Sequence, residues 1–334
     1  MRNSTITKYI DWLERTHGLE FSSYDELWAW SVERGNLFWR TLWEFFEIRR
    51  SEDFSSVREG WSPGSEWFGV RWFPGARLNY AENMLAPADA KPGDVAVLGL
   101  SETRPDIMLS WSELRDRTGS FEQFLASLGV GPGDVVTAIM PNIPETLVAM
   151  LATAALGAIW SAIPPELGAE PMRRRLEALR PRAILAVDGY VYAGRRVKKA
   201  DDIRKTLDAI GFRGPLASLS YLEGHLQGSI PMEDGLSGRR RPEFAQVSSD
   251  HPLWVLFTSG TTGTPKMPVH AHAGITLESH KVAELCSDVR PGDRVLFFSS
   301  TGWVAWNRHV DALMAGGSVI TYDGNPLHPE PERM

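Results

Sequence analysis

The segment TSGTTGTPK, residues 258–266, directly follows the apolar run LWVLF, residues 253–257. Its glycines let backbone N–H groups approach an oxygen-rich anion, its hydroxyl groups add short donors, and its lysine adds a mobile positive charge. At the end of a buried strand, this combination predicts a cradle for a polyphosphate. The residues assigned to the cradle are Thr258, Ser259, Gly260, Thr261, Thr262, Gly263 and Lys266.

Two other interpretations, a Walker A loop and a polar turn without a ligand, explain fewer residues of this segment. A Walker A loop needs four residues between its glycines and then Gly-Lys-Ser/Thr, whereas Gly260 and Gly263 are separated by two residues and Lys266 is followed by Met267. A polar hairpin turn without a ligand would explain the glycines, but it would not explain the hydroxyl groups and the lysine together. The phosphate cradle is therefore the favoured interpretation.

Other side chains that could bind a metal or act as a nucleophile carry weaker signals. His270 and His272 are two residues apart and would share one face of a strand, but no cysteine or carboxylate stands beside them at ligand spacing. We therefore expect no metal site there. Cys286 is the single cysteine, which excludes an internal disulfide, and no partner pattern surrounds it. We expect an inert, half-buried thiol.

Composition limits the class of protein and its partners. The chain has 334 residues, 43% of them hydrophobic and 23% charged, with a formal net charge of −7 and a pI near 5.7. This balance predicts a folded globular chain and disfavours nucleic acid and anionic membranes as partners. The charged N-terminal residues and the lack of an apolar run near 18 residues predict a cytoplasmic protein.

Strand and helix patterns alternate in the central part of the chain. Apolar runs predict strands at 95–100, 135–140 and 183–187, and amphipathic runs predict helices at 112–128 and 145–156. This alternation predicts a parallel sheet covered by helices. The tripeptide Pro-Gly-Asp stands before an apolar strand at 92–94, 132–134 and 291–293 and predicts a tight turn at each position. The charged and glycine-rich range 188–249 is predicted to be surface helix and loop.

The first part of the chain holds most of the tryptophans. Ser23 and Glu26 form a capping-box pattern at the start of one predicted helix. In the segment FWRTLWEFF, residues 38–46, the apolar side chains recur every three or four positions and form one wide face. We expect this face to pack in a core or against the rest of the protein. An exposed site for a partner is the less favoured alternative.

These motifs together resemble a known family. TSGTTGTPK resembles the phosphate-binding signature of the adenylate-forming superfamily, which includes acyl-CoA synthetases, luciferases and the adenylation domains of peptide synthetases. The segment RWFPGARLNYAENML, residues 71–85, resembles the N-terminal part of members similar to acetyl-CoA synthetase. The motifs at 188–190, 269–272, 301–307 and 322–329 most resemble the subfamily that activates acetoacetate.

The resemblance implies a fold and a division of the chain. It implies an α/β fold of doubly wound, mostly parallel sheets with helices on both faces, preceded by an aromatic-rich helical segment. Residues 1–87 would be the N-terminal segment, and residues 88–334 would be part of an AMP-binding adenylation domain. The resemblance thus extends over nearly the whole chain.

The resemblance also implies a two-step reaction. A carboxylate attacks the α-phosphate of ATP and releases pyrophosphate, and the thiol of coenzyme A then displaces AMP. By this analogy, Thr258 to Gly263 would hold the β- and γ-phosphates with Mg²⁺, and Lys266 would be the catalytic cation. Trp303, Val304 and Ala305 occupy the positions where the family builds part of its acyl pocket. An ordinary role in the core is equally open for these three residues.

The family places further functional parts downstream of residue 334. These are the adenine-binding segment, a ribose-binding aspartate, a hinge and a C-terminal domain with an acyl-transfer lysine. We therefore expect the N-terminal portion of an acetoacetate-activating ligase, truncated and inactive alone. There are two alternatives. One is a fragment of a ligase specific for acetate or propionate, and the other is a non-catalytic remnant that binds a nucleotide or a partner. The sequence leaves the oligomeric state open.

Overall fold

The computed structural model describes residues 4–60, 69–258 and 266–330. The helices are α1 (Thr5–His17), α2 (Tyr24–Glu33), α3 (Gly35–Phe45), α4 (Tyr80–Met84), α5 (Trp111–Ser127), α6 (Pro144–Ala155), α7 (Ala169–Leu179), α8 (Ala200–Ala209), α9 (Glu233–Leu236), α10 (His272–His280) and α11 (Val304–His309). A π-helical turn at Lys281–Cys286 follows α10, and a 3-10 segment at Val310–Ala315 follows α11.

The strands are β1 (Arg58–Glu59), β2 (Arg71–Trp72), β3 (Arg77–Leu78), β4 (Val95–Ser101), β5 (Ile107–Ser110), β6 (Val135–Ile139), β7 (Ile159–Ile163), β8 (Ala183–Val187), β9 (Gly189–Tyr192), β10 (Arg195–Lys198), β11 (Leu216–Leu219), β12 (Ile230–Pro231), β13 (Val247–Ser248), β14 (Pro252–Val255), β15 (Val269–Ala271), β16 (Arg294–Val295) and β17 (Ser318–Asp323). Every central strand and helix predicted from the sequence is present, with boundaries that differ by one or two residues.

The strands form two larger sheets. One has the order β12-β11-β8-β6-β7-β14-β15, and its neighbours are parallel except at the antiparallel edge pair β14–β15. The other has the order β16-β17-β4-β5, with an antiparallel pair only at β4–β5. Parallel strands buried on both faces are expected to be continuously apolar, as the segment AILAV of β8 is.

Helices cover both faces of the larger sheet. Successive side chains of a strand point to opposite faces, so β8 shows where each face packs. Ile184 and Ala186 belong to a cluster that includes α7 and α8, whereas Leu185 and Val187 belong to the main core with α5 and α6. This arrangement confirms the predicted doubly wound α/β fold.

Helix α6 lies between the two sheets and is buried over its whole length. It contacts β7 of the larger sheet and β4 of the smaller one, and all twelve of its residues are buried. At its C-terminal end, the amide nitrogen of the fully buried Asn79 donates to the carbonyl oxygens of Ala154, at 2.8 Å, and Ala155, at 3.1 Å. Helix C-termini leave such carbonyls without the usual helical partner, and Asn79 adds donors to those that the N–H of Gly157 gives to Ala154 and the N–H of Ala245 gives to Ala155.

The three Pro-Gly-Asp turns share a second feature. In each turn the aspartate side chain accepts a hydrogen bond from the backbone N–H three residues earlier: Asp94 from Lys91 at 3.2 Å, Asp134 from Gly131 at 2.9 Å and Asp293 from Arg290 at 2.9 Å. The turns lead directly into β4, β6 and β16. The sequence prediction for these joints is confirmed, and the aspartate accounts for the third position of the motif.

The aromatic N-terminal segment forms its own hydrophobic cluster. Trp43 stacks on Phe73 with ring centroids 4.7 Å apart, and Leu277 of α10 belongs to the same cluster. The apolar face of α3 therefore packs in a core that joins this segment to the rest of the protein.

Only half of the predicted capping box forms, because the Glu26 carboxylate binds Ser22 instead of the Ser23 backbone.

One prediction about the fold is wrong. The range 188–249 contains β11, whose four residues are buried inside the larger sheet, as well as β9, β10, α8 and α9. β11 is only four residues long and includes Ser218, so it has no strong local strand signal and its burial depends on pairing with β8. Among the described helices, none has the length and hydrophobicity needed to span a bilayer.

Asn79→Ala is expected to lower the free energy of unfolding by about 2–4 kcal/mol, because it removes the hydrogen bonds of a buried amide to the carbonyl groups of Ala154, Ala155 and Ala245 and also removes the cap of α4. Urea denaturation of the chain measures this loss. The exposed Asn36 provides the control, since Asn36→Ala is expected to change stability by less than about 0.5 kcal/mol. Equal effects of both substitutions would show that Asn79 has no special role.

Candidate functional site

The main candidate site is a cleft at the carboxyl ends of the parallel strands, here called the carboxyl-end cleft. It has a volume of about 450 Å³. Its described lining residues follow β6, β7 and β17 or come from the β9–β10 hairpin and the segment before α11: Pro141, Asn142, Pro165, Glu166, Tyr190, Val191, Tyr192, Arg195, Val197, Phe298, Ser299, Ser300, Thr301, Tyr322, Asp323 and Gly324. Crevices outside the carboxyl ends of parallel strands are the usual ligand sites of such sheets.

A buried carboxyl group lies at the floor of this cleft. Asp323 ends β17, and its Oδ2 accepts a hydrogen bond from the hydroxyl of Tyr221. Burial raises the pKa of Asp323 to about 6, and burial also raises the pKa of Tyr221. The Arg104 guanidinium lies 5.3 Å from the Tyr221 ring centre and pairs with Glu145 at the start of α6. These groups join the carboxyl edges of the two sheets.

Asn142 brings an unused donor to the cleft. Its Oδ1 accepts a hydrogen bond from the Trp306 indole N–H at 2.8 Å, which fixes the orientation of the amide. Its Nδ2 is buried and has no partner among residues 4–60, 69–258 and 266–330. A buried donor of this kind is usually satisfied by water or a ligand. Because Asn142 also lines the cleft, this donor could bind an oxygen atom of a ligand if the wall of the cleft opened to expose it.

The structure describes only the two ends of the predicted phosphate cradle. The N–H of Thr258 donates to the carbonyl oxygen of Lys266 at 3.1 Å, and both residues are exposed. Thr258 lies three residues beyond the carboxyl end of β14, so the cradle leaves the sheet at the edge expected for a ligand loop. The predicted residues Ser259, Gly260, Thr261, Thr262 and Gly263 lie outside the described residues.

The three predicted acyl-pocket residues stand at the start of α11. Trp303 is the N-cap residue and is 61% exposed, while Val304 is 50% exposed. Val304 lines a second cavity of about 500 Å³, here called the aromatic cavity, together with Trp39, Trp72 and Val269. Trp303 and Ala305 are not among the described residues that line either cavity. A core role is excluded for Trp303 by its exposure.

The two histidines are bound individually by different groups. His270 lies on β15 and its Nδ1 accepts from the Trp254 indole N–H at 3.1 Å, whereas His272 begins α10 and its Nδ1 accepts from the Tyr80 N–H at 3.1 Å. They therefore do not share a strand face as the sequence predicted. Burial lowers the pKa of His270, and burial lowers that of His272 to about 3.

No group of three or more His, Cys, Asp or Glu side chains in the described part of the chain could hold a metal ion. Cys286 is exposed at the end of the π-helical turn, which corrects the expected half-buried position.

Sequence reasoning missed most of the cleft. Asn142, Glu166 and Asp323 were not predicted as site residues, although each follows or ends a strand that was recognisable from its apolar run. Their position relative to the strand ends was the signal that could have found them. In the β9–β10 hairpin the motif at 188–190 was recognised as part of the resemblance, but it was not assigned to a site, because the contribution of the hairpin depends on how it folds back toward the loop after β17.

Comparisons with known proteins match nearly the whole chain. A family model described as AMP-binding enzyme matches residues 86–334, and one described as acetyl-coenzyme A synthetase N-terminus matches residues 24–84. The solved structure of the acetoacetyl-CoA synthetase from Streptomyces lividans aligns with a TM-score of 0.93 and 35% identity, over 99% of this chain and 51% of that chain. The resemblance predicted from the motifs is confirmed.

Curated relatives also match almost all of this chain with about half of their own length. The acetoacetyl-coenzyme A synthetase of Rhizobium meliloti is 33% identical over 338 residues, which cover 99% of this chain and 51% of the relative. The malonamoyl-CoA synthetase of Penicillium aethiopicum is 29% identical over 347 residues, which cover 99% of this chain and 48% of the relative. The chain thus spans about half the length of the curated relatives it matches.

Asp323→Asn is expected to change how stability depends on pH. The raised pKa of Asp323 means that the folded state holds its proton up to about pH 6, so the contribution of this group to stability falls as pH rises from about 4 to 6. The asparagine variant lacks this loss and should gain about 3 kcal/mol relative to the unaltered chain across that interval. Urea denaturation at several pH values measures the gain. A difference that stays constant across this interval would contradict the assignment.

Proposed function

The chain belongs to the AMP-binding enzyme family, and from this membership we propose that it is the N-terminal portion of an ATP-dependent acid–thiol ligase. The observation that carries the proposal is the segment TSGTTGTPK, which leaves the larger sheet at the carboxyl end of β14. The two residue ranges matched by family models support a division into an N-terminal segment, residues 1–87, and part of an adenylation domain, residues 88–334.

The proposed reaction has two steps. A carboxylate oxygen of the acid bonds to the α-phosphorus of ATP and pyrophosphate leaves; the sulfur of coenzyme A then bonds to the acyl carbon and AMP leaves. Both steps move negative charge onto phosphate oxygens, so positioning and cations dominate catalysis. Thr258 to Gly263 hold the β- and γ-phosphates in this proposal, and Lys266 neutralises them.

Mg²⁺, when bound, would neutralise further charge on the same phosphate oxygens. In nucleotide sites this ion is commonly held by the phosphates and by only one or two carboxylates. The exposed residue Thr258 and the hydroxyl-rich sequence of the cradle fit such a site, because hydroxyl groups can bind the water molecules of a hydrated ion. We assign no carboxylate of the chain to it.

The carboxyl-end cleft suits the thiol substrate. Tyr190, Tyr192 and Phe298 offer apolar surface for the long arm of coenzyme A, and the exposed Arg195 offers a guanidinium for its phosphates. The buried N–H of Asn142 can bind an oxygen of the arm or of the acyl group. Val304, which lines the aromatic cavity, and its neighbour Trp303 are assigned to the acid.

Acetoacetate is the proposed acid. The support is the set of motifs that resemble the acetoacetate-activating subfamily and the names of the relatives. A relative named malonamoyl-CoA synthetase has nearly the same identity, so overall identity does not by itself decide the acid. Acetate or propionate as the acid, and a non-catalytic remnant that binds a nucleotide or a partner, remain the competing proposals.

Lys266→Ala tests the phosphate cradle in a full-length protein that contains this chain. The loss of one charge-assisted contact to pyrophosphate oxygens is worth roughly 1.5–3 kcal/mol, so adenylation should slow about ten- to hundredfold. Pyrophosphate exchange with acetoacetate and ATP measures this step. Thioester formation from supplied acyl-adenylate should stay nearly unchanged, because pyrophosphate has already left.

The matched control for this experiment is Lys205→Ala, since Lys205 is an exposed lysine on α8, away from the cradle. It should leave both half-reactions unchanged. An equal loss in both half-reactions of the Lys266 variant, or no loss in either, would contradict the assignment. Pyrophosphate exchange absent from the unaltered full-length protein would favour the non-catalytic remnant.

Trp303→Ala tests the acid site in the same full-length protein. Because Trp303 is exposed in the described structure, its removal should leave folding intact while kcat/KM for acetoacetate falls about tenfold or more. The relative preference for acetate and propionate should change as well. Trp28, which is 59% exposed on α2, provides the control, and Trp28→Ala should alter neither value. Equal behaviour of the two variants would remove Trp303 from the acid site.

A further inference from the structure

Glu102, the first residue after β4, binds two loops from different parts of the fold. Its Oε1 accepts hydrogen bonds from the N–H of Ala193, at 2.8 Å, and from the N–H of Asn325, and its Oε2 accepts from the N–H of Gly194 at 2.7 Å. Its own N–H donates to the carbonyl oxygen of Asp323 at 3.1 Å. The carboxylate thus ties the tip of the β9–β10 hairpin to the loop after β17.

These hydrogen bonds are charge assisted. Partial burial opposes ionisation of Glu102, but the three backbone N–H groups and the nearby His328 outweigh burial and lower the pKa of the carboxyl. Hydrogen bonds to an ionised acceptor are about twice as strong as neutral ones. One side chain therefore makes a strong connection between two segments that are distant in sequence.

The turn of the hairpin depends on this connection. Ala193 and Gly194 form a two-residue turn with φ angles of 51° and 73°. Turns of this kind favour Asn-Gly or Gly-Gly, and an alanine at positive φ is strained. The Glu102 carboxylate accepts from the N–H groups of both turn residues and so stabilises a conformation that the sequence of the turn does not favour.

The base of the hairpin is held by separate contacts. The N–H groups of Lys199 and Ala200 donate to the carbonyl oxygen of Asp188 at 2.8 and 3.1 Å, and the Arg196 guanidinium donates to the carbonyl oxygen of Leu222 at 2.9 Å. None of these contacts reaches the turn. The hairpin is therefore fixed at its base independently of Glu102, while the position of its tip depends on Glu102.

The hairpin tip and the loop after β17 lie side by side at the edge of the carboxyl-end cleft, because both donate to the same carboxylate. The hairpin contributes Tyr192 and Arg195, which flank the turn, to the lining of the cleft, and the loop contributes Gly324, which precedes Asn325. We propose that Glu102 is a positioning residue that holds the hairpin against this loop, and thereby sets the shape of the cleft and the binding of the thiol substrate. The proposal rests on the proposed function only for the identity of that substrate.

Glu102→Gln in a full-length protein that contains this chain provides the test. The glutamine keeps the shape of the side chain but removes the charge and turns an N–H₂ group toward backbone donors. Hydrogen–deuterium exchange should become about tenfold faster in peptides that cover residues 189–198 and 323–327. The KM for coenzyme A should rise about tenfold, while pyrophosphate exchange stays within about twofold of the unaltered protein.

Glu113→Gln is the matched control, because the Glu113 carboxylate also accepts a backbone N–H, that of Ser110 at 2.8 Å, at the start of α5. This variant should change neither the KM for coenzyme A nor exchange at the cleft. Unchanged hydrogen exchange in the Glu102 variant would refute the connection. Faster exchange with an unchanged KM, or with an equal loss in both half-reactions, would refute the positioning role.

The outcomes separate this inference from the proposed function. Hydrogen exchange needs no substrate, so it reports on the connection even if the full-length protein activates no acid. A protein without pyrophosphate exchange refutes the ligase proposal, whereas unchanged hydrogen exchange refutes the role of Glu102 alone.

Discussion

The burial of helix α6 between the two sheets is the constraint on which the rest of the fold depends. A helix buried on all sides must satisfy every polar group without water. Thr146 and Thr153 donate to backbone carbonyls, Glu145 pairs with Arg104, and Asn79 binds carbonyl groups of the last turn. Close packing adds a second demand, because a Cβ atom on residue 99 of β4 would lie 2.4 Å from the Pro144 ring. That position therefore requires glycine.

This packing also determines where the site forms. Because α6 contacts strands of both sheets, the carboxyl ends of β6, β7 and β17 open onto one cleft. The polar groups that join the sheets there, Tyr221, Asp323 and Arg104, are half-buried or buried and come from three different parts of the chain. A buried, hydrogen-bonded connection of this kind fixes the relative position of the two sheets more firmly than apolar contacts alone.

The N-terminal segment lines part of the aromatic cavity. Its aromatic rings pack with each other and with α10, and Trp39 and Trp72 face the aromatic cavity beside Val304. Aromatic pairs bury a large area at a small cost in conformational entropy, which suits a short helical segment that must hold its position against a larger domain. The segment thereby shapes the surroundings of α11 without belonging to either large sheet.

The sequence by itself determined the elements whose signals are local. The strands around Val95 and Val135, the Pro-Gly-Asp turns and the segment TSGTTGTPK depend on residues a few positions apart, so a single stretch is enough to predict them. Tertiary structure alone decided that β11 is buried, that His270 and His272 bind separate partners, and that Glu102 connects the β9–β10 hairpin to the loop after β17. Each of these depends on a contact between residues distant in the chain, and such contacts follow from strand order and burial instead of local spacing.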